Sequence, residues 1–365
     1  MSKIEWTEKT WNPIVGCSIV SPGCTNCYAM RMAARLETMS IDRYAGLTKI
    51  VNDVPVWTGE VAIAPDATFL MPLNTKRPTT WFVNSMSDLF HEGISDAMID
   101  RVFAVMALTP HHTYQVLTKR SKRMLEYMSS SSTCIRVLDA MFDVADLAAM
   151  MAAVNGARRP WESRPKKVAF VDDPDAHWPL FNVWHGVSAE RQKEAEERVL
   201  DLLATPAAVR YVSGEPLLGP VDLTRIKSKD HPDGFVNALR FNERRLDWII
   251  VGGESGYGSR PMHPDWARSI RDQCASYGVP FFFKQHGTWI TAVDRDRDDP
   301  DWRLDYTRKY AHRGRHHWIN LAGGIGFHGE RFHVMRHVTK QQAGRDLDGR
   351  TWDEMPTQPA AKECA

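Results

Sequence analysis

Six short runs along the chain crowd β-branched and aromatic residues together and then break into a polar tip. They are TTWFVNSMSD (79–88), TYQVLTKR (113–120), FNVWHGVS (181–188), VRYVSGEP (209–216), DWIIVGGESG (247–256) and VPFFFKQHG (279–287). Their nearly unbroken apolar character predicts strands covered on both faces, the situation of a parallel sheet. Helical patterns lie between them. Residues 188–205 carry an apolar stripe at Ala195, Val199, Leu202 and Leu203, with Ser188 as the expected cap. Residues 263–278 place Trp266, Ile270, Cys274 and Tyr277 on one face and end at Gly278, and residues 94–110 stop at Pro110. Strand–helix alternation of this kind predicts an α/β fold, either a βα barrel or an open sheet.

Two stretches break the pattern. The expected barrel core is 1–128 and 181–287, interrupted by an insertion at 129–180 that would serve as a lid or substrate subdomain. Residues 288–365, richer in charge and histidine, read as a C-terminal extension. With 43% hydrophobic and 25% charged residues, the composition excludes a disordered chain or a coiled coil. The net charge of +1 means that any nucleic-acid contact must come from a local patch. No apolar run is long enough to span a bilayer and the first residues lack a signal-type apolar stretch, so no membrane partner and a cytoplasmic location are expected. In that compartment the six cysteines would be reduced.

Three of those cysteines are packed into GCSIVSPGCTNCYA (16–29): Cys17, Cys24 and Cys27, spaced C-x6-C-x2-C. A structural zinc site needs four ligands, and the first histidine is as far away as His91. Three local thiolates suit a [4Fe–4S] cluster with one iron left open, and Gly16, Pro22 and Gly23 would let the loop curl around it. Zinc completed by a distant ligand, or cysteines that bind nothing, are the alternatives. The strand tips supply further chemistry: Asn84, Ser85, Ser87 and Asp88; Thr118 and Lys119; His185 and Ser188; Ser213 and Glu215; Glu254 and Ser255; Lys284 and Gln285. In a βα barrel such tips converge on one site. Glu215 and Glu254 suit an amine, ribose hydroxyls or a sulfonium, unless they are spent in ion pairs with Lys119 or Lys284. Cys274 reads as core, and Cys134 as a candidate hydrogen-atom donor. The segment WRLDYTRKYAHRGRHHW (302–318) interleaves cations with rings, which makes Arg308, Lys309, Arg313, Arg315 and Trp318 candidates for nucleic-acid contact.

WTEKTWNPIVGCSIVSPGCTNCYA, NSMSDLFHE, LTKR, SGEPLLGP, IIVGGESGYGSRPMHPDW, FFFKQHG and AGRDLDGRTWDEMP, in this order, resemble a phage- and prophage-associated three-cysteine family of unknown function. That family in turn resembles the radical S-adenosylmethionine enzymes, spore photoproduct lyase-like members among them. The resemblance implies a partial or complete parallel βα barrel of that type. Cys17, Cys24 and Cys27 would hold a [4Fe–4S] cluster, and S-adenosylmethionine would take the open iron. Tyr28, Ser85, Ser87, Asp88, Ser188, Glu215 and Glu254 are the expected cofactor contacts, and Lys119, Lys284 and Cys134 the expected catalytic side chains. An external electron donor is implied. The sequence departs from the superfamily pattern in two places: its first cysteine gap is longer than C-x3-C, with Asn26 where an aromatic residue is usual and Tyr28 just after the last cysteine, and NSMSD replaces a GGE-type turn. The expected function is radical rearrangement of a thymidine-derived base in phage DNA, with lesion repair by a lyase, or a non-enzymatic nucleic-acid-binding module with a structural metal, as alternatives.

Overall fold

The computed structural model describes residues 4–154, 177–240, 244–296, 316–323 and 331–357. All six apolar runs are strands of one sheet. It consists of β1 (Lys9–Trp11), β2 (Thr80–Val83), β3 (Thr113–Thr118), β4 (Val183–Ser188), β5 (Val209–Gly214), β6 (Trp248–Gly252) and β7 (Phe281–Gln285). The strands lie in chain order, every neighbouring pair is parallel, and the sheet curls into a half-barrel. The three-residue β1 carries too few apolar positions to stand out in the sequence, yet Trp11 is fully buried beneath the sheet.

The two faces of the sheet explain the continuous apolar runs. Val183, Val187, Val212, Ile249, Val251, Phe281 and Phe283 point outward into the core shared with the helices. Their neighbours Trp184, Val209, Tyr211, Trp248, Ile250 and Phe282 point inward and form a second, concave core. Alternation with a period of two thus buries both sets, one under helices and one inside the curl. Trp6, from the segment before β1, inserts into the concave core with its ring 4.7 Å from Phe82 and 6.2 Å from Trp248. Gln115 donates to the Trp6 carbonyl at 3.2 Å and anchors this plug. Register then matters: Gly186 faces Tyr211, and a Cβ at Gly186 would collide with that ring. One step further along the same rows, the inward residues turn polar, as Ser188, Ser213 and Lys284.

The longer helices are α1 (Tyr28–Thr38), α2 (Asp96–Ala107), α3 (Ser121–Ser129), α4 (Thr133–Val154), α5 (Gln192–Ala204) and α6 (Pro264–Tyr277). Ser188 does not cap α5: it ends β4, and the helix begins four residues later, at Gln192 behind the cap Arg191. In α6, Trp266, Ile270 and Cys274 are buried, but Tyr277 is 38% exposed in the last turn. Gly278 ends that helix in the left-handed conformation, with φ 62°. The stretch from 129 begins with α3's last residue and α4, whose inner face packs on the barrel's helices. Val137, Met141 and Val144 of α4 share one core with Val102, Phe103 and Met106 of α2, so this helix belongs to the outer layer. Residues 155–176 of the expected insertion lie outside the described residues.

After β7 the chain forms an antiparallel sheet of β8 (Trp289–Asp296), β9 (His316–Asn320) and β10 (Arg331–His337), with β10 in the centre. It docks on α6, where Trp266 Nε1 donates to the Leu321 carbonyl at 2.7 Å. The chain then returns to cover the β7 edge, with the Phe283 amide donating to the Trp352 carbonyl at 2.9 Å. Among the described residues, no helix is long and apolar enough to cross a membrane.

Candidate functional site

The polar ends of the inward rows open into a cavity of about 260 Å³ at the C-terminal mouth of the half-barrel, and the cysteine loop forms one of its walls. The loop leaves the barrel at Gly16, whose amide donates to the Met86 carbonyl at 3.0 Å. Gly16 has φ +94°, and a Cβ there would strike the Glu60 carbonyl, so only glycine makes this exit. Pro22–Cys24 form a 3₁₀ turn, and Cys27 stands at the N-terminus of α1. Cys17, Cys24 and Cys27 all line the cavity. Burial pushes the Cys17 thiol up to about 12, and burial likewise raises Cys27. A bound cation at the sulfurs would reverse both shifts, because coordinating thiols are deprotonated.

The loop is held down by a buried acid. Glu190 pairs with Lys119, with Arg198 at 3.1 Å, and accepts from Ser21 Oγ at 2.8 Å. Burial alone would raise its carboxyl, but Lys119 and Arg198 overrule that and bring it down to about 2. The carboxylate occupies the space a Gly23 side chain would need, so Gly23 and Glu190 fit each other. A second ion group lies beside Cys17. Arg120 binds Asp88 at 3.1 Å and Glu92 at 3.0 Å, donates to Ser18 Oγ at 2.6 Å, and lies 3.7 Å from the Cys17 sulfur.

The structure brings most of the expected site residues into this one cavity: Tyr28, Ser85, Ser87, Asp88, Lys119, Ser188, Glu215, Glu254 and Lys284 all line it. Their partners sort them. Asp88 accepts from Thr118 Oγ at 2.6 Å and from the Lys119 amide at 2.9 Å besides Arg120, which leaves its carboxylate saturated by the protein. Glu254 is held by Arg260 at 2.6 Å and by Asn26 at 3.0 Å. Glu215 pairs with Lys284 at 3.3 Å, which meets the ion-pair alternative for that residue, whereas the partner of Glu254 is Arg260 and neither expected lysine. Tyr28 donates to the Ser85 carbonyl at 2.7 Å, and the Ser85 side chain bonds Asn12.

Cys134 does not reach the cavity. It sits in α4, 4% exposed, among the apolar residues that pack this helix against its neighbours. A hydrogen-atom donor must face the substrate, and this sulfur faces the core. Trp318, in β9, lines a different cavity of about 370 Å³ together with Arg191, Arg260 and Trp266. Arg308, Lys309, Arg313 and Arg315 lie outside the described residues.

Sequence reasoning placed Asn84, Ser213 and Gln285 at strand tips without assigning them a role. They are the groups with capacity to spare. Both side-chain polar atoms of Asn84, Ser213 Oγ, Ser87 Oγ and Gln285 Oε1 are buried with no hydrogen-bond partner among the described residues, and all four residues line the cavity. Unmet buried polar atoms are costly, so their convergence on one space marks it for a polar ligand. Glu190 and Arg120 were given no role, and Asn26 was noted only as a departure from the superfamily's cysteine loop. Glu190 opens a charged helical stretch that reads locally as a solvated face, and no local signal separates it from its neighbours.

Three thiols in the cavity wall, cations beside them and unmet polar groups opposite are a donor set that fits an iron–sulfur cluster with a polar cofactor. The one described set of three metal-ligating atoms lying within 4.8 Å of one another is elsewhere, at His263, Asp265 and His333. The cysteine sulfurs do not form such a set, whereas thiolates on one tetrahedral ion lie within about 4 Å of one another. At the histidine set, His263 Nδ1 accepts the Asp265 amide at 3.1 Å, which places the proton of the neutral ring on Nε2. That nitrogen is then a donor and not a free ligand, and the set lies where α6 meets β10, with the His263 and His333 rings 4.2 Å apart.

Fold and site together define a partial parallel βα barrel with a three-thiol, charge-lined cavity at its C-terminal mouth. The chain belongs to the DUF5131 family, described as a protein of unknown function, which matches residues 1–356. Comparison with curated proteins and with solved structures gives no match.

Proposed function

We propose that this protein is a radical S-adenosylmethionine enzyme acting on a nucleic-acid base, in the manner of a phage DNA base-modifying isomerase. The observation that carries the reading is the meeting of Cys17, Cys24 and Cys27 with the unmet polar groups of Asn84, Ser87, Ser213 and Gln285 in one cavity. Cys17, Cys24 and Cys27 would hold a [4Fe–4S] cluster, which with an external donor would supply one-electron reductive cleavage of S-adenosylmethionine. The chain does the rest. Arg120 and Glu190 fix the loop at Ser18 and Ser21, and the Glu215–Lys284 pair offers a carboxylate and an ammonium to the cofactor or substrate. Trp6, Phe82 and Leu117 close the floor against water, which protects a reactive centre from side reactions. Asp88 and Glu254, saturated by Arg120 and Arg260, position their surroundings and do not bind cofactor through the carboxylate.

The decisive test is anaerobic reconstitution with iron and sulfide, followed by S-adenosylmethionine and a strong reductant. The reading expects about four irons per chain and release of 5′-deoxyadenosine. Tight zinc without iron, and no cofactor cleavage, would sink it. Alanine at Cys17, Cys24 or Cys27 should each abolish cleavage, whereas Cys134→Ala should retain it. For the substrate, mass spectrometry of nucleosides from DNA made with and without the protein should show a new or rearranged base. Loss of a pre-existing lesion instead would assign the lyase chemistry.

A further inference from the structure

Beside the cavity mouth, α1 turns an unusual face outward. Tyr28, Arg31, Met32 and Arg35 follow the i, i+3, i+4, i+7 spacing of one helical stripe, while Ala29, Met30 and Ala33 on the opposite side are buried. Facing the stripe is Tyr257, 79% exposed and carried between Gly256 and Gly258, both at positive φ. Arg31 lies over its ring at 5.0 Å. Among the described residues neither Arg31 nor Arg35 has a carboxylate within ion-pair distance, although Arg120, Arg191, Arg198 and Arg260 all do.

These side chains line a groove of about 230 Å³ that shares Asn26, Tyr28 and Ser255 with the main cavity. Its far wall is firmly placed, because Asn26 donates to the Gly258 carbonyl at 2.7 Å as well as to Glu254. A rim that offers two uncompensated guanidinium groups and two exposed tyrosine faces has the chemistry of a single-strand platform, with phosphates on the cations and bases on the rings.

We infer that single-stranded nucleic acid docks across Arg31, Arg35 and Tyr257 and delivers a base over Tyr28 into the cavity. The choice of a nucleic-acid occupant rests on the proposed function. The site itself differs from the basic segment at 302–318 that the sequence points to.

The test is fluorescence anisotropy of the anaerobically reconstituted protein with fluorescein-labelled oligothymidylate, and in parallel oligouridylate, over a salt series. DNA preference shows as tighter binding of the first probe. The Arg31→Ala/Arg35→Ala double variant should bind about tenfold or more weakly and reduce the salt slope by about two, one per lost phosphate contact. Tyr257→Ala should weaken binding about tenfold while leaving the salt slope unchanged. Lys49→Ala, in the hairpin of Thr48–Val51 and Val54–Trp57 and outside the groove lining, should change neither. All of these variants should keep wild-type iron content and substrate-free release of 5′-deoxyadenosine, which separates a lost docking surface from a lost fold. Unchanged oligonucleotide binding in the arginine and tyrosine variants overturns the inference. So does a wild-type protein that binds neither probe, and so does a result in which the arginine variants lose only reduction by an acidic electron-donor protein. If cofactor cleavage is absent but the arginine variants still lose oligonucleotide, the docking surface stands and the catalytic reading falls.

Discussion

Glu190 shows how much one residue can carry when charge is buried. It offsets two cations, accepts from the cysteine loop and fills the space that Gly23 leaves open. Glu190→Gln would leave Lys119 and Arg198 short of a counter-charge in the interior, and a cost of about 3–5 kcal/mol is expected in urea denaturation. Gly23→Ala forces a Cβ into the same carboxylate and should release the loop, read as iron lost on reconstitution. Among the groups that make the fold acid-sensitive, His185 and Glu190 act in different windows. Burial, helped by nearby Arg210, holds His185 down to about 3 from an ordinary 6.5, so the unfolded chain takes up a proton that the folded one refuses. Stability therefore falls as pH drops from about 6.5 toward 3. Glu190, lowered from 4.5 to about 2, adds a further loss only below about 4.5. Denaturation midpoints compared at neutral pH and near pH 5 should show the first loss, and His185→Leu should flatten it.

At the scale of single elements, the decisive constraints are two glycines whose reasons differ. Gly186, in the middle of β4, is required by packing: the Tyr211 ring of the next strand occupies the position of a Cβ. Because that ring is fully buried, Gly186→Ala should cost about 3 kcal/mol, at the upper end of overpacking. Gly278, after α6, is required only by its backbone: φ is 62°, and a methyl group there would meet nothing within 4 Å. Gly278→Ala should cost about 1 kcal/mol, and Gly278→Asn less, since asparagine tolerates the left-handed conformation. Gly278 was legible, because a glycine at the end of a helical pattern is a local stop signal. Gly186 was not, because the ring it accommodates is 25 residues away in sequence.

For the molecule as a whole, the half-barrel is open and depends on chain from outside the repeat to complete it. Trp6 fills the concave core, and the segment around Trp352 covers the β7 edge. Trp6→Ala should destabilise by about 3–5 kcal/mol in equilibrium denaturation. It should also lower cofactor affinity, because Trp6 is part of the cavity floor. The sequence by itself determined the six long strands, the three helices between them that repeat spacing exposes, and the cysteine loop. Each of these is written in local periodicity or in close spacing, which needs no knowledge of neighbours. The convergence of the strand tips was legible too, since the polar residues follow directly on apolar runs. Only the tertiary structure decided which tips are free. Asp88 and Glu254 are consumed by Arg120 and Arg260, while the Asn84 side chain, Ser213 Oγ and Gln285 Oε1 are left without partners among the described residues. It also moved Cys134 into the core and brought Arg31 and Arg35 to the cavity rim beside Tyr257. The physical reason is that an ion pair, an unmet hydrogen bond or a shared groove depends on what stands opposite, and apart from Glu254 and Arg260, six residues apart, the groups that meet here are far apart along the chain.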